Sequence, residues 1–361
     1  MKTCNIDHIN RAKAIKCFDG HRQMLQGWFA IMKHRPGMGR WRWTLSFTLV
    51  LLLGIVLAIG VLPSTAHSQE PHSLLPNGFT EGFVRTNGIR MHYVRGGEGE
   101  PLVLLHGFPE TWYAWRKVLP SLAKHYTVIA PDLRGAGQSD APPTGYDDVT
   151  MSEDIRGLVQ QLGLGPINLV GHDIGLMVAY AYAARYPNDV KHLALLEAPI
   201  PDESVYSYSA LTANGPGLWW FGFFSTPQMP EKLLQGHESD FLTLFFQNSV
   251  PVQVQGSITK AEIALYTTQN LRNPARLHAQ VSYFSALRTD VEQVKVYGKK
   301  KLQMPVLALG ADHSLGAAVA TQVARYATNV TGGVITGSGH WIPEEKPQEL
   351  VDRLLTFLNK M

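Results

Sequence analysis

The sequence predicts an α/β fold, with a mostly parallel sheet covered by helices on both faces and interrupted once by a helical insertion. Three observations carry that expectation. Apolar runs of strand length recur at residues 102–105, 127–130, 167–170, 192–196, 306–309 and 330–336, with helical stretches between most of them. Between about 201 and 303 that rhythm stops, and the chain is helical and rich in aromatics such as Trp219, Trp220, Phe223 and Phe245. The run at 167–170 passes through Gly171-His172-Asp173-Ile174-Gly175 straight into an apolar helical stretch, 176–182.

The 361 residues suffice for one large domain with an insertion or for two ordinary ones, and 45% apolar with 17% charged residues is globular. The net charge of +3 is unevenly placed. Residues 1–43 hold nine Lys/Arg against two Asp/Glu, leaving the remainder at −4, so the basic excess is not a nucleic-acid surface. Cys4 and Cys17 lie in that same segment, and the rest of the chain has no thiol for a disulfide or a nucleophile. Residues 44–62 are uncharged and almost wholly apolar, with Arg40 and Arg42 before and Ser64, Thr65, Ala66 and Ser68 after. This predicts an export signal cleaved after Ala66 or Ser68, with Met38 an alternative start, and a periplasmic or secreted protein. The alternative is an uncleaved anchor over 44–62, the one membrane contact expected. The expected organisation is a basic segment (1–43), signal or anchor (44–68), linker (69–80), core (81–200 and 304–361) and lid (201–303).

Each element has its own justification. Residues 83–86 and 89–94 flank Asn87-Gly88, a dipeptide suited to the positive φ angles of a tight hairpin. The run at 102–105 ends in His106-Gly107-Phe108-Pro109, a turn expected to hold a cis bond before Pro109. The run at 127–130 leads into the glycine-containing loop 132–139, read as architecture. The run at 192–196 closes on Glu197, that at 306–309 precedes Asp312, and that at 330–336 precedes Gly339-His340-Trp341. An insertion above the C-terminal strand ends acts as a lid, because ligands bind there in such sheets. Lys299-Lys300-Lys301 reads as a solvated turn.

The turn from strand to helix around Asp173 has the form of a nucleophile elbow, small-x-nucleophile-x-small. Glycines at both ends allow the sharp turn without a Cβ clash. A carboxylate is a poor nucleophile toward ordinary esters. Held close and in line, it can displace a leaving group from saturated carbon and form an alkyl-enzyme ester, which implies epoxides or alkyl halides as small-molecule substrates. Two plainer readings compete: a turn or N-cap aspartate, and the His-Asp metal pair of phosphohydrolases that carry the same letters. The preceding strand and the lack of a second histidine-rich cluster argue against the metal, so neither metal nor cofactor is expected. The backbone N–H groups of Phe108 and Ile174 would form an oxyanion hole. His340 would be the general base. Glu197 and Asp312 are both candidates to orient it; a carboxylate closing a buried strand has little structural reason to be there, which favours Glu197.

From about Pro76 onward the chain resembles the epoxide hydrolase branch of the α/β-hydrolases. The matching pieces include His106-Gly107-Phe108, Thr111-Trp112-Tyr113, Val128-Ile129-Ala130-Pro131-Asp132-Leu133, His172-Asp173-Ile174-Gly175, Glu197-Ala198-Pro199-Ile200-Pro201-Asp202 and Gly339-His340-Trp341. The resemblance implies an eight-stranded, mostly parallel sheet with the lid after the sixth strand, a triad of Asp173, Glu197 and His340, a vicinal diol product and a homodimer. It also implies lid donors to the epoxide oxygen, and here the chain departs. Trp220 stands where a lid histidine is expected and Phe284 where a tyrosine is, with Tyr283 adjacent as a substitute if the helix is rotated. An indole donates a hydrogen bond but keeps its proton, and phenylalanine does neither. Hydrolytic dehalogenation of haloalkanes or haloacids is therefore the alternative, although Ile174 and Met177 do not complete either dehalogenase pattern. A catalytically weakened hydrolase that binds a ligand or partner is the third reading.

Overall fold

The structure is a computed structural model that describes residues 74–212, 215–248 and 257–359. The basic segment and the expected signal or anchor at 44–68 lie outside the described residues; among these, no helix is long and apolar enough to cross a membrane.

Eight strands form one sheet: β1 (Phe79–Thr86), β2 (Ile89–Gly96), β3 (Glu100–Leu105), β4 (Tyr126–Pro131), β5 (Ile167–His172), β6 (Val190–Leu196), β7 (Val306–Ala311) and β8 (Val330–Ile335). Their order across the sheet is β1-β2-β4-β3-β5-β6-β7-β8. β2 runs antiparallel to both neighbours and the remaining pairs are parallel. Asn87 (φ 42°) and Gly88 (φ 82°) make the β1–β2 turn as the dipeptide predicts. β1 starts earlier than expected, inside the segment read as linker. Phe79 pairs with Gly96, and its ring occupies the space a side chain on Gly96 would need.

Strand residues alternate between two apolar layers. Leu102 and Leu104 face Trp115, Leu119 and Leu354, whereas Val103 and Leu105 face Leu176 and Val178. That second layer is formed by α1 (Asp148–Gln161) and α2 (Ile174–Arg185). α2 is buried along nearly its whole length, which explains why its sequence is apolar all round rather than striped. It springs directly from Asp173, so the elbow is fixed by the most deeply packed helix of the core.

The insertion follows the sixth strand, as expected. It comprises α3 (Trp219–Phe224), α4 (Met229–Leu234), α5 (Glu238–Asn248), α6 (Lys260–Tyr266), α7 (Pro274–Ser285) and α8 (Leu287–Tyr297). Thr259 and Glu262 form a capping box at α6, and Asn273 caps α7 ahead of Pro274. α8 differs from the others: it packs on α1 and α2 of the core, with Tyr297 5.7 Å from Tyr180. It is the crossover between parallel β6 and β7 and belongs to the core. The chain closes with α9 (Ala318–Tyr326) and α10 (Pro347–Leu358).

Candidate active site

Asp173 lies at the tip of the turn between β5 and α2 with φ 52° and ψ −123°, a conformation costly for a residue with a side chain. The turn closes because its flanks are glycines. A Cβ on Gly171 would come within 2.2 Å of the Gly175 carbonyl oxygen, and one on Gly175 within 2.3 Å of the Leu105 carbonyl oxygen. Gly107 faces Asp173 itself, since a Cβ there would lie 2.4 Å from Cβ of Asp173.

The carboxylate of Asp173 is held from two sides. The Phe108 N–H donates to Oδ1 at 2.8 Å, and Nε2 of His340 lies 3.4 Å from Oδ2. Phe108 precedes a cis bond to Pro109, and Ile174 supplies the first N–H of α2, in the turn where helix donors have no partner of their own. Nδ1 of His340 is 3.9 Å from Oε1 of Glu197. Glu197 is fully buried at the end of β6, itself with φ 52°, and accepts from the backbone N–H groups of Ala311 and Leu315. Burial opposes charge on His340, but the carboxylates of Asp173 and Glu197 beside it outweigh that effect and raise its pKa to about 10. Burial likewise pushes Asp173 up, yet its hydrogen bond to His340 and that cation's charge leave it below the usual carboxylate range. These shifts favour an imidazolium at His340 beside the Asp173 carboxylate.

Asp312, the other acid considered, has a different task. Its carboxylate accepts from the N–H groups of Gly337 and Ser338, anchoring the loop that carries His340 from outside. The contacts of three further residues escaped the sequence reading. His172 donates from Nε2 to the His340 carbonyl at 2.8 Å, and its Nδ1 lies 3.3 Å from the buried carboxylate of Glu110. Asn270, from the lid, donates to the carbonyls of Pro109 and Glu110. Glu110 adjoins a recognised motif and His172 lies within one, which was the available signal; Asn270 had none. Among the described residues no group of three or more His, Cys, Asp or Glu side chains is placed to hold a metal ion.

A cavity of about 40 Å³ adjoins the carboxylate, lined by Asp173, Glu197, His340, Trp220, Phe221 and Leu315 with their neighbours. Trp220 lines this cavity. Tyr283 does not: its hydroxyl donates to the Arg134 carbonyl and its ring is buried beside Tyr146, so the lid helix is not rotated to present it. Phe284 packs edge-on against Phe108 at 5.1 Å and stacks on Phe224 at 4.9 Å, backing the Phe108 loop rather than lining the cavity.

These features coincide with a known family. Residues 100–347 match the model for the alpha/beta hydrolase fold. This chain is an α/β hydrolase. The soluble epoxide hydrolase of Corynebacterium sp. (strain C12) is 38% identical over 283 residues, covering 75% of this chain and 94% of that protein. The crystal structure of Cfl2 from Burkholderia cenocepacia superposes with a TM-score of 0.72 at 37% identity, covering 79% of this chain and 97% of that one. The Cif epoxide hydrolase from Acinetobacter nosocomialis gives a TM-score of 0.72 at 29% identity, over 79% and 90% of the two chains. Within its family the chain is epoxide hydrolase-like.

Proposed function

We propose that this α/β hydrolase opens epoxides to vicinal diols, with Asp173 as the nucleophile. The observation that carries the reading is the two-sided hold on Asp173. Phe108 N–H fixes one carboxylate oxygen at 2.8 Å while the other lies beside His340 and the cavity. Attack of a carboxylate oxygen on an epoxide carbon forms a C–O ester bond and breaks the ring C–O bond, and the released alkoxide takes a proton. Esterification removes the charge of Asp173, one of the two that keep His340 protonated. His340 then gives up a proton, balancing the one the alkoxide took, and becomes a neutral base. It next takes a proton from water, whose oxygen attacks Cγ of Asp173. The oxyanion is stabilised by the N–H groups of Phe108 and Ile174. Collapse releases the diol and restores the carboxylate and the imidazolium.

The test is to mix the His340→Gln variant with an epoxide and look by mass spectrometry for an adduct on the peptide containing Asp173. The expected result is an accumulating ester that Asp173→Asn does not form; full turnover by Asp173→Asn sinks the mechanism. Trp220 favours a second reading, hydrolysis of alkyl halides, because an indole N–H suits a departing halide, which needs no proton. Halide release without diol formation from epoxides would select it.

A further inference from the structure

A second concavity lies against the outside of the catalytic cavity. It is a groove of about 570 Å³, whose lining includes Tyr208, Leu315, Ala318, Val319, Gln322 and Arg325. Three residues, Ala198, Pro199 and Leu315, line both spaces, so a single layer of side chains separates them. A second link runs through the rings, since Phe221 lines the cavity and stands edge-on to Tyr208 of the groove at 6.2 Å. The inner space has room for the reacting atoms and little else, whereas the groove falls in the range of about 300–1,000 Å³ typical of small-molecule sites.

The groove is also firmly built. Gln322 is buried and its amide is spent on the backbone, accepting from the Ile200 N–H and donating to the Ile200 carbonyl, each at 2.8 Å. The guanidinium of Arg325 at the rim is paired with Asp202 at 3.0 Å. With its principal polar groups engaged, what the groove presents to a ligand is mainly the surfaces of Ala318, Val319, Leu315, Pro199 and the Tyr208 ring. Leu315 divides the two spaces by its side chain alone, because its backbone N–H is fixed on Glu197. A rotamer change can open the wall without moving the acid.

We propose that this groove is the outer part of the substrate site and takes an unbranched apolar substituent of the molecule whose reactive carbon lies at Asp173. The inference rests on the epoxide reading for the chemistry at the reacting end, and the groove makes the preferred substrate an epoxide with a long alkyl chain. Selectivity for chain length then resides in Leu315, Val319 and Ala318.

The test compares propene oxide with decene oxide on the wild-type enzyme, on Ala318→Trp, which fills the groove from an exposed helix start, and on Leu315→Ala, which thins the wall. Ala318→Trp should lower kcat/KM for decene oxide about tenfold, the worth of burying one or two methylene groups, and leave propene oxide within about twofold. Leu315→Ala should shift the ratio toward the longer epoxide. Equal changes for the two epoxides, or none, overturn the proposal. Calorimetric binding of decane diol and propane diol separates it from the epoxide reading. If the wild-type enzyme turns over neither epoxide, that reading falls. The groove then stands if Ala318→Trp weakens decane diol selectively, and falls if decane diol does not bind.

Discussion

At the scale of single residues, the placing of Asp173 is set by what is missing beside it and by what lies opposite. Gly175 has no side chain because the carbonyl oxygens of Leu105 and His106 occupy the space, at 2.3 and 2.6 Å from where a Cβ would be. Gly175→Ala should cost about 1–3 kcal/mol of stability through overpacking and abolish turnover by displacing the elbow, read by urea unfolding and by activity. Opposite Asp173, His340 couples the site to pH. Its pKa of about 10 in the folded protein exceeds the unfolded value of about 6.5. The stability it contributes is thus complete below about pH 6.5 and is lost as pH rises through about 10. Asp173→Asn removes one of the two partners, so its urea midpoint should fall less than that of the wild-type protein between about pH 7 and 10; an equal fall in both would refute the ion pair. That Asp173, Glu197 and His340 come together was legible because each follows an apolar strand run or a glycine-marked turn. The facing directions of Tyr283 and Phe284 were not. Adjacent residues on a helix point about 100° apart, and only packing against Tyr146 and Phe108 decides which one faces where.

At the scale of elements, the strands and the elbow helix could be read from periodicity, whereas the joints between elements could not. The start of α1 is an example. Asp147 caps it, as an N-cap aspartate should, but its next two backbone donors are met from α8. The N–H of Asp148 donates to Asp290 at 2.8 Å and that of Val149 to Gln293 at 3.3 Å. Neither contact leaves a signature in the local sequence. The joint also buries two carboxyls. Burial raises Asp148, the charge of Asp290 adds to the effect, and Oδ2 of Asp148 has no hydrogen-bond partner. A carboxyl whose folded pKa lies above its unfolded value of about 3.9 weakens the fold as pH rises past that value. Asp148→Asn should therefore stabilise the protein at neutral pH by about 1 kcal/mol or more and give no gain near pH 3, as compared by denaturant midpoints at the two pH values. A gain of equal size at both would mean that packing, not charge, is responsible.

At the scale of the whole molecule, Arg116 ties three distant parts together. Its guanidinium pairs with Glu262 of the lid and with Glu344, just beyond His340, while Lys117 reaches Glu344 at 3.1 Å. The Glu344 side chain is fully buried, so Arg116→Ala leaves its carboxylate with Lys117 and the Tyr266 hydroxyl alone and should cost up to about 3 kcal/mol. Adding Glu344→Gln should recover much of that loss in a double-mutant cycle, and strict additivity would show the two do not interact. The overall fold was legible because strand and helix lengths follow from local pattern; the lid's attachment was not, because its contacts join segments remote in sequence. One feature of that attachment bears on how such enzymes diversify. Since β6 and β7 are parallel, the chain leaving the sheet above Glu197 must return to its opposite edge, and α8 makes that return while packed on α1 and α2. The exchangeable module therefore ends before Leu287 rather than at the next strand. Recombination between relatives with breakpoints near Glu203 and Ala286 would exchange the lid as a cassette and leave Asp173, Glu197 and His340, together with the groove residues Leu315, Ala318 and Val319, in the recipient.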